Sequence, residues 1–149
     1  MNIIKKEANN LVKYRHPKIL SIVENCLEDK SSVGFVTERV VSNLQSYIDQ
    51  KKLDELFPSE LEIKCNLIDL VDGLSFLHSD VKIAHLGINP SSIYVTEDGR
   101  WKLGGFVFNL QLLKDPVGSP IFDFFNPNLY VKLNPDLKFS APETAKQPI

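Results

Sequence analysis

The chain is short of nearly everything that marks an extracellular, membrane or metal-stapled protein. Its 149 residues hold two cysteines, one methionine and one tryptophan. Cys26 and Cys65 form no CxxC pair and have no nearby histidine, which speaks against a structural zinc site or a disulfide framework. Reduced thiols are the expectation. No run approaches the roughly 18 apolar residues of a membrane span, and the opening MNIIKKEANN lacks the apolar core of a signal peptide. A soluble, cytoplasmic protein without direct membrane insertion is therefore expected. The formal net charge of −2 comes from interspersed charges of both signs, so no basic face for nucleic acid is expected. A glycine-rich phosphate loop of the form G-x-G-x-x-G is missing throughout.

What is present describes an ordinary globular chain. Hydrophobic residues make up 43%, charged residues 24%, and there are nine phenylalanines. A domain of this size buries roughly 68 to 70% of its unfolded surface, enough for a substantial core. EANNLVKYRH carries Ala8, Leu11 and Val12 at helical spacing, and Pro17 ends that helix near residue 15. KILSIVENCLED and SVGFVTERVV, separated by a polar turn at Glu28 to Ser32, read as an antiparallel strand pair. SNLQSYIDQ opens on a Ser-Asn cap signal and reads as a short helix.

From Pro58 to His78, apolar Ile63, Leu67, Leu70, Val71, Leu74 and Leu77 recur at three and four residue steps, predicting an amphipathic helix. Gly73 inside it costs about 1 kcal/mol against Ala, which implies a close packing contact. SIYVTEDGRWKLGGF alternates around Asp98-Gly99 and predicts a hairpin. Residues 108 to 140 show no period and are expected to form an ordered loop, pinned by Phe122, Phe124, Phe125, Tyr130 and Phe139 or else offering them to a partner.

The segment IAHLGINPSSIYV then raises the question of function. Taken with EANNLVKYRHPKIL, FVTERV, GLSFLHSDVK, WKLGGFVF and SAPE, in that order, it resembles the protein kinase fold and most closely the SCY-like pseudokinases. The resemblance implies an α+β, incomplete protein kinase-like bilobal fold over 1–149. It consists of helix αC with two small-lobe strands, then a helical large-lobe half with catalytic-loop hairpins and activation segment. On this reading residues 1–40 are a small-lobe remnant with its hinge, and 41–149 are the large-lobe half ending just after the APE motif at Glu143.

Kinases run H-R-D-x-x-x-x-N in the catalytic loop, followed by D-F-G and A-P-E. Anchoring on His85 and Pro90 puts Gly87 at the catalytic aspartate, Ser92 at the metal-binding asparagine and Gly105 at the D-F-G aspartate. Magnesium held with ATP needs oxygen ligands, generally one or two carboxylates among them, and none of the three positions supplies one. The resemblance thus implies no catalytic residue, no metal and no cofactor. Glu97, Asp98 and Asp80 read as solvated surface charges, with a relocated base as the sharper alternative. Leu86 at the arginine position removes the usual receiver for a phosphorylated activation segment, and between Phe108 and Phe139 only Ser119 and Tyr130 carry hydroxyls.

The retained positions are structural. Leu11, Ile22, His85 and Phe106 match the stack that links the lobes, worth roughly 1.5 to 3 kcal/mol per fully buried apolar side chain. His85 is expected to be packed and hydrogen-bonded rather than a general base. His16 is expected in a turn and His78 at a helix terminus. Glu7 matches the helix glutamate that pairs with a strand lysine, or is a solvated first-turn residue. Thr37, Glu38, Arg39 and Val40 match the gatekeeper and hinge of a nucleotide pocket. The function implied is a catalytically inactive scaffold in vesicle trafficking, with coat or adaptor proteins as partners, peripheral to Golgi or endosomal membranes. The alternative is an atypical active serine/threonine kinase, distinguished by metal-dependent ATP binding.

Overall fold

Pro17 divides the beginning of the chain as its missing N–H requires. In the computed structural model, which describes residues 3–55, 57–114, 120–122 and 137–139, helix α1 (Ile3–Lys13) ends just before it. Strands β1 (Ile22–Glu28) and β2 (Val33–Thr37) form the expected antiparallel pair, with a register shift on either side of Glu24. The second strand run does not continue to Val41 as the sequence suggests. It breaks after Thr37, and β3 (Val40–Asn43) pairs instead with β5 (Ile93–Thr96). Backbone bonding of Glu38 to Ser21 turns the chain from one sheet toward the other.

Helix α2 (Leu44–Leu53) starts at Asn43, whose side chain accepts the Ser46 amide at 2.8 Å. Helix α3 (Glu60–Phe76) starts on a full capping box: Ser59 Oγ accepts the Glu62 amide and the Glu62 carboxylate accepts the Ser59 amide. It runs into a π turn at Leu77–Val81, closed by Lys82 at φ 61°. The hairpin β5 to β6 (Trp101–Leu103) turns at Gly99, whose φ of 77° suits glycine.

The apolar residues of α3 divide between two faces. Leu70 and Leu77 are buried and Leu74 packs against the core, whereas Val71 and Leu67 are 64% and 49% exposed. The inward face is completed by Asn66, Asp69 and Gly73, because the helix docks on a hairpin backbone that needs polar partners. Asn66 accepts the Trp101 amide and donates to the Gly99 carbonyl. A Cβ on Gly73 would lie 3.1 Å from Leu103 and 3.3 Å from Lys18, which is the close contact the glycine allows.

Residues 108 to 140 contain more regular structure than their sequence suggests. Strands β4 (Ile83–His85), β7 (Asn109–Lys114) and β8 (Pro120–Phe122) form a three-stranded antiparallel sheet. Leu137–Phe139 make one 3₁₀ turn, with Phe139 44% exposed rather than buried. Phe124, Phe125, Tyr130, Ser119 and the Glu143 of the APE motif lie outside the described residues. The core runs through Leu11, Tyr14, Ile19, Leu44, Leu77, Val95, Leu103 and Phe106, joining α1 to both later sheets. Among the described residues, no helix is long and apolar enough to cross a membrane.

Candidate functional site

His85 ends β4 and its ring is held at both nitrogens. Gly87 N–H donates to Nδ1 at 3.1 Å, so Nε2 carries the proton and donates to the Gly104 carbonyl at 2.9 Å. Burial lowers the pKa of this ring below the ordinary histidine value. Phe106 lies against it at 4.7 Å between ring centroids, and Tyr14 also meets Phe106, at 5.4 Å. With both nitrogens engaged by backbone, His85 is a packing and positioning group. Leu11 is buried in the same cluster and Ile22 is half-buried against it, so the four expected stack residues meet in one body.

The loop after His85 is sealed by its own side chains. Asn89 Oδ1 accepts the amides of Ser91 and Ser92, an Asx turn in the Asn-Pro setting. Asn89 Nδ2 donates to the Gly87 carbonyl at 3.2 Å, and Ser92 Oγ donates to the Asn89 carbonyl at 2.9 Å. Ser92 is buried, and its own carbonyl accepts the Gly104 amide.

Gly105 lies against both Gly87 and Ser92 of the preceding loop. A Cβ built on Gly87 would stand 3.3 Å from the Gly105 carbonyl oxygen. One built on Gly105, at φ 75°, would stand 2.6 Å from Ser92 Cβ. The three positions offer two glycines and a neutral hydroxyl that is already bonded within its loop. Among the described residues, no group of three His, Cys, Asp or Glu side chains is placed to hold a metal. A nucleotide-bound magnesium ion does not fit this donor set.

Glu7 is not a solvated first-turn residue. Oε1 accepts the Gly105 amide at 2.8 Å, while Oε2 is buried without a hydrogen-bond partner among the described residues. Burial pushes its carboxyl above the ordinary value, against the pull of the 105–107 backbone amides. One turn along α1, Asn10 Nδ2 donates to the Phe106 carbonyl at 2.8 Å, and Asn109 donates to the same oxygen. Helix α1 thus holds this segment at the Gly105 amide and the Phe106 carbonyl. In sequence Asn10 is only a polar residue inside a helix, and nothing in the motif pattern signals this grip.

Thr37, Glu38, Arg39 and Val40 span the crossing from β2 to β3. Thr37 Oγ1 donates to the Glu38 carbonyl at 3.0 Å. Glu38 accepts the Ser21 amide at 2.7 Å and Lys102 Nζ at 2.6 Å. Burial raises its carboxyl pKa, but Lys102 and Ser21 outweigh that and hold it below the ordinary value. Arg39 pairs with Glu97 at 3.0 Å, and Asp98 bonds Thr96, so neither hairpin acid reaches the Gly87 loop. Asp69 joins Lys18 at 2.6 Å and Arg100 at 2.9 Å, tying α3, the Pro17 turn and the hairpin together. His16 lies in that turn, stacked on Phe76.

The helix gripping a G-F-V segment, the histidine-anchored loop and the β5–β6 hairpin are the parts of a protein kinase-like fold. The chain is 34% identical over 156 residues to the protein kinase domain-containing protein ppk32 of Schizosaccharomyces pombe, covering 96% of this chain and 20% of that protein. It is 30% identical over 151 residues to the protein kinase-like protein SCY1 of Saccharomyces cerevisiae, covering 95% and 18%. It is also 30% identical over 154 residues to SCY1-like protein 2 of Homo sapiens, covering 94% and 16%. It belongs to the SCY1-like protein kinase-like proteins. The chain spans one fifth or less of the length of these relatives. No family model matches it.

Proposed function

We propose that this domain is catalytically inactive and serves as a protein-interaction scaffold in intracellular vesicle trafficking. On this reading its partners are coat or adaptor components and it works peripherally at Golgi or endosomal membranes, as its SCY-like kinship suggests. The observation that carries the inactive reading is the contiguity of Gly87, Ser92 and Gly105. The positions at which a kinase keeps its base and metal ligands meet one another without a charged side chain among them. Phosphoryl transfer is catalysed by positioning and charge stabilisation, so losing the base and the metal ligands together leaves no route through this loop.

The retained hydrophobic body fits a domain kept for its shape. The test is phosphate transfer from labelled ATP to a general acceptor, run alongside melting curves with ATP in the presence and absence of magnesium. No transfer and no magnesium-dependent rise are expected. Magnesium-dependent transfer identifies an atypical kinase instead. The scaffold part is tested by measuring binding of purified coat and adaptor components to the protein: saturable binding is expected, and its absence overturns that part.

A further inference from the structure

Losing metal ligands is a change of chemistry, and a pocket emptied of them would keep its space. The relation between Gly105 and Ser92 is different. At φ 75° the Gly105 backbone sits in the left-handed region, and the direction its side chain would take is filled by Ser92 Cβ at 2.6 Å, with Ser92 Cα at 3.5 Å. Real Cβ atoms do not approach so closely, and a Cβ cannot rotate away, because the backbone alone fixes it.

That backbone is anchored. The Ser92 amide donates to both the Asn89 carbonyl at 3.0 Å and Asn89 Oδ1 at 3.1 Å, and the Ser92 carbonyl accepts the Gly104 amide at 2.9 Å. On the far side, Glu7 holds the Gly105 amide and Asn10 holds the Phe106 carbonyl. Gly87 adds a third constraint, since a side chain there would press on the Gly105 carbonyl and the Phe108 ring.

We propose that Gly105 and Ser92 are a matched pair that closes the former metal position by shape, so that putting the carboxylate back does not recreate a divalent-cation site. This rests on the inactive reading above and extends it. Ser92 occupies the space that a side chain at Gly105 would need, so the loop as it stands requires the glycine.

The test uses the full chain with Gly105→Asp, Gly105→Ala, Ser92→Gly and the double variants Ser92→Gly/Gly105→Asp and Ser92→Gly/Gly105→Ala. Melting is followed with magnesium or manganese alone as the probe, and binding by calorimetric titration. Gly105→Asp is expected to bind neither cation and to melt lower by roughly 5 °C, from the left-handed strain together with the clash. The double-alanine cycle separates the two causes: Ser92→Gly/Gly105→Ala is expected to lose less than the sum of the single variants. A saturable, cation-dependent rise in Gly105→Asp alone overturns the proposal, as does strict additivity in the alanine cycle. Activity of the unaltered protein sinks the inactive reading instead, so the two failures are distinguishable.

Discussion

The Gly105 amide donates to Glu7 Oε1 at 2.8 Å, bringing an acid of the first helix onto the segment that stands where kinases carry D-F-G. The second oxygen is buried without a partner among the described residues, and burial raises the pKa. A raised carboxyl favours the folded state when protonated. That stabilisation is complete below the ordinary value of 4.5 and is lost as pH rises through the folded value. Glu7→Gln keeps an acceptor for the amide and removes the buried charge. It is expected to melt roughly 2 to 4 °C higher at pH 7, with the difference shrinking toward pH 4, as scanning calorimetry across that range would reveal.

Asp69 has the opposite sign. Its carboxyl is held below the ordinary value, first by its hydrogen bond to Lys18 and further by Arg100, with burial opposing both. Its contribution is present above pH 3.8 and is lost as pH falls through the folded value. Asp69→Asn is expected to cost about 2 kcal/mol, below the loss for a fully buried pair because Arg100 is half exposed. Urea unfolding at pH 7 and pH 3 checks both magnitude and direction: the difference between variant and parent should contract in acid.

Ser59 and Glu62 cap α3 reciprocally. Ser59→Ala is expected to lose about 1 kcal/mol, and Ser59→Asp to retain most of it. Amide exchange in the first turn of α3 should speed up in the alanine variant while α1 is unaffected.

Phe106 is fully buried against the rings of Tyr14 and His85. Phe106→Ala is expected to cost about 4 kcal/mol, a large share of a typical stability of about 5 to 15 kcal/mol. Phe106→Leu should lose less. Because burial keeps His85 neutral, its contribution is present above the ordinary pH of 6.5 and is lost as pH falls through the lowered value. Melts of His85→Gln should be flatter between pH 7 and pH 5 than those of the parent.

Local rules read some elements well. The Asp98-Gly99 turn and the Asn43 cap depend on residues within a few positions of one another, so the chain declares them directly. Gly73 announces a close contact by being a glycine inside a helix, although not which residues make it. The β7–β8 pairing was hidden because prolines and unpatterned aromatics around it obscure a period of two. The stripe on α3 names apolar residues correctly, yet periodicity cannot say which of them meets the hairpin and which faces outward.

The candidate site divides along the same line. That Gly87, Ser92 and Gly105 carry no carboxylate is legible in the sequence, while their match to kinase acidic and amide positions is what the resemblance implies; the packed, hydrogen-bonded character of His85 was read there too. That Glu7 would turn to a backbone amide, that Asn10 would hold Phe106, and that Ser92 would fill the space beside Gly105 was not.

What the linear chain determined by itself is therefore a set of short-range elements and the side-chain inventory of its central loop, since turns, caps and inventories are properties of neighbouring residues. Tertiary structure alone decided which faces meet, where the Glu7 carboxylate finds its donor and how tightly the loop closes on Gly105. Those outcomes depend on the shape of a shared core, which brings together positions from the first helix and the last hairpin.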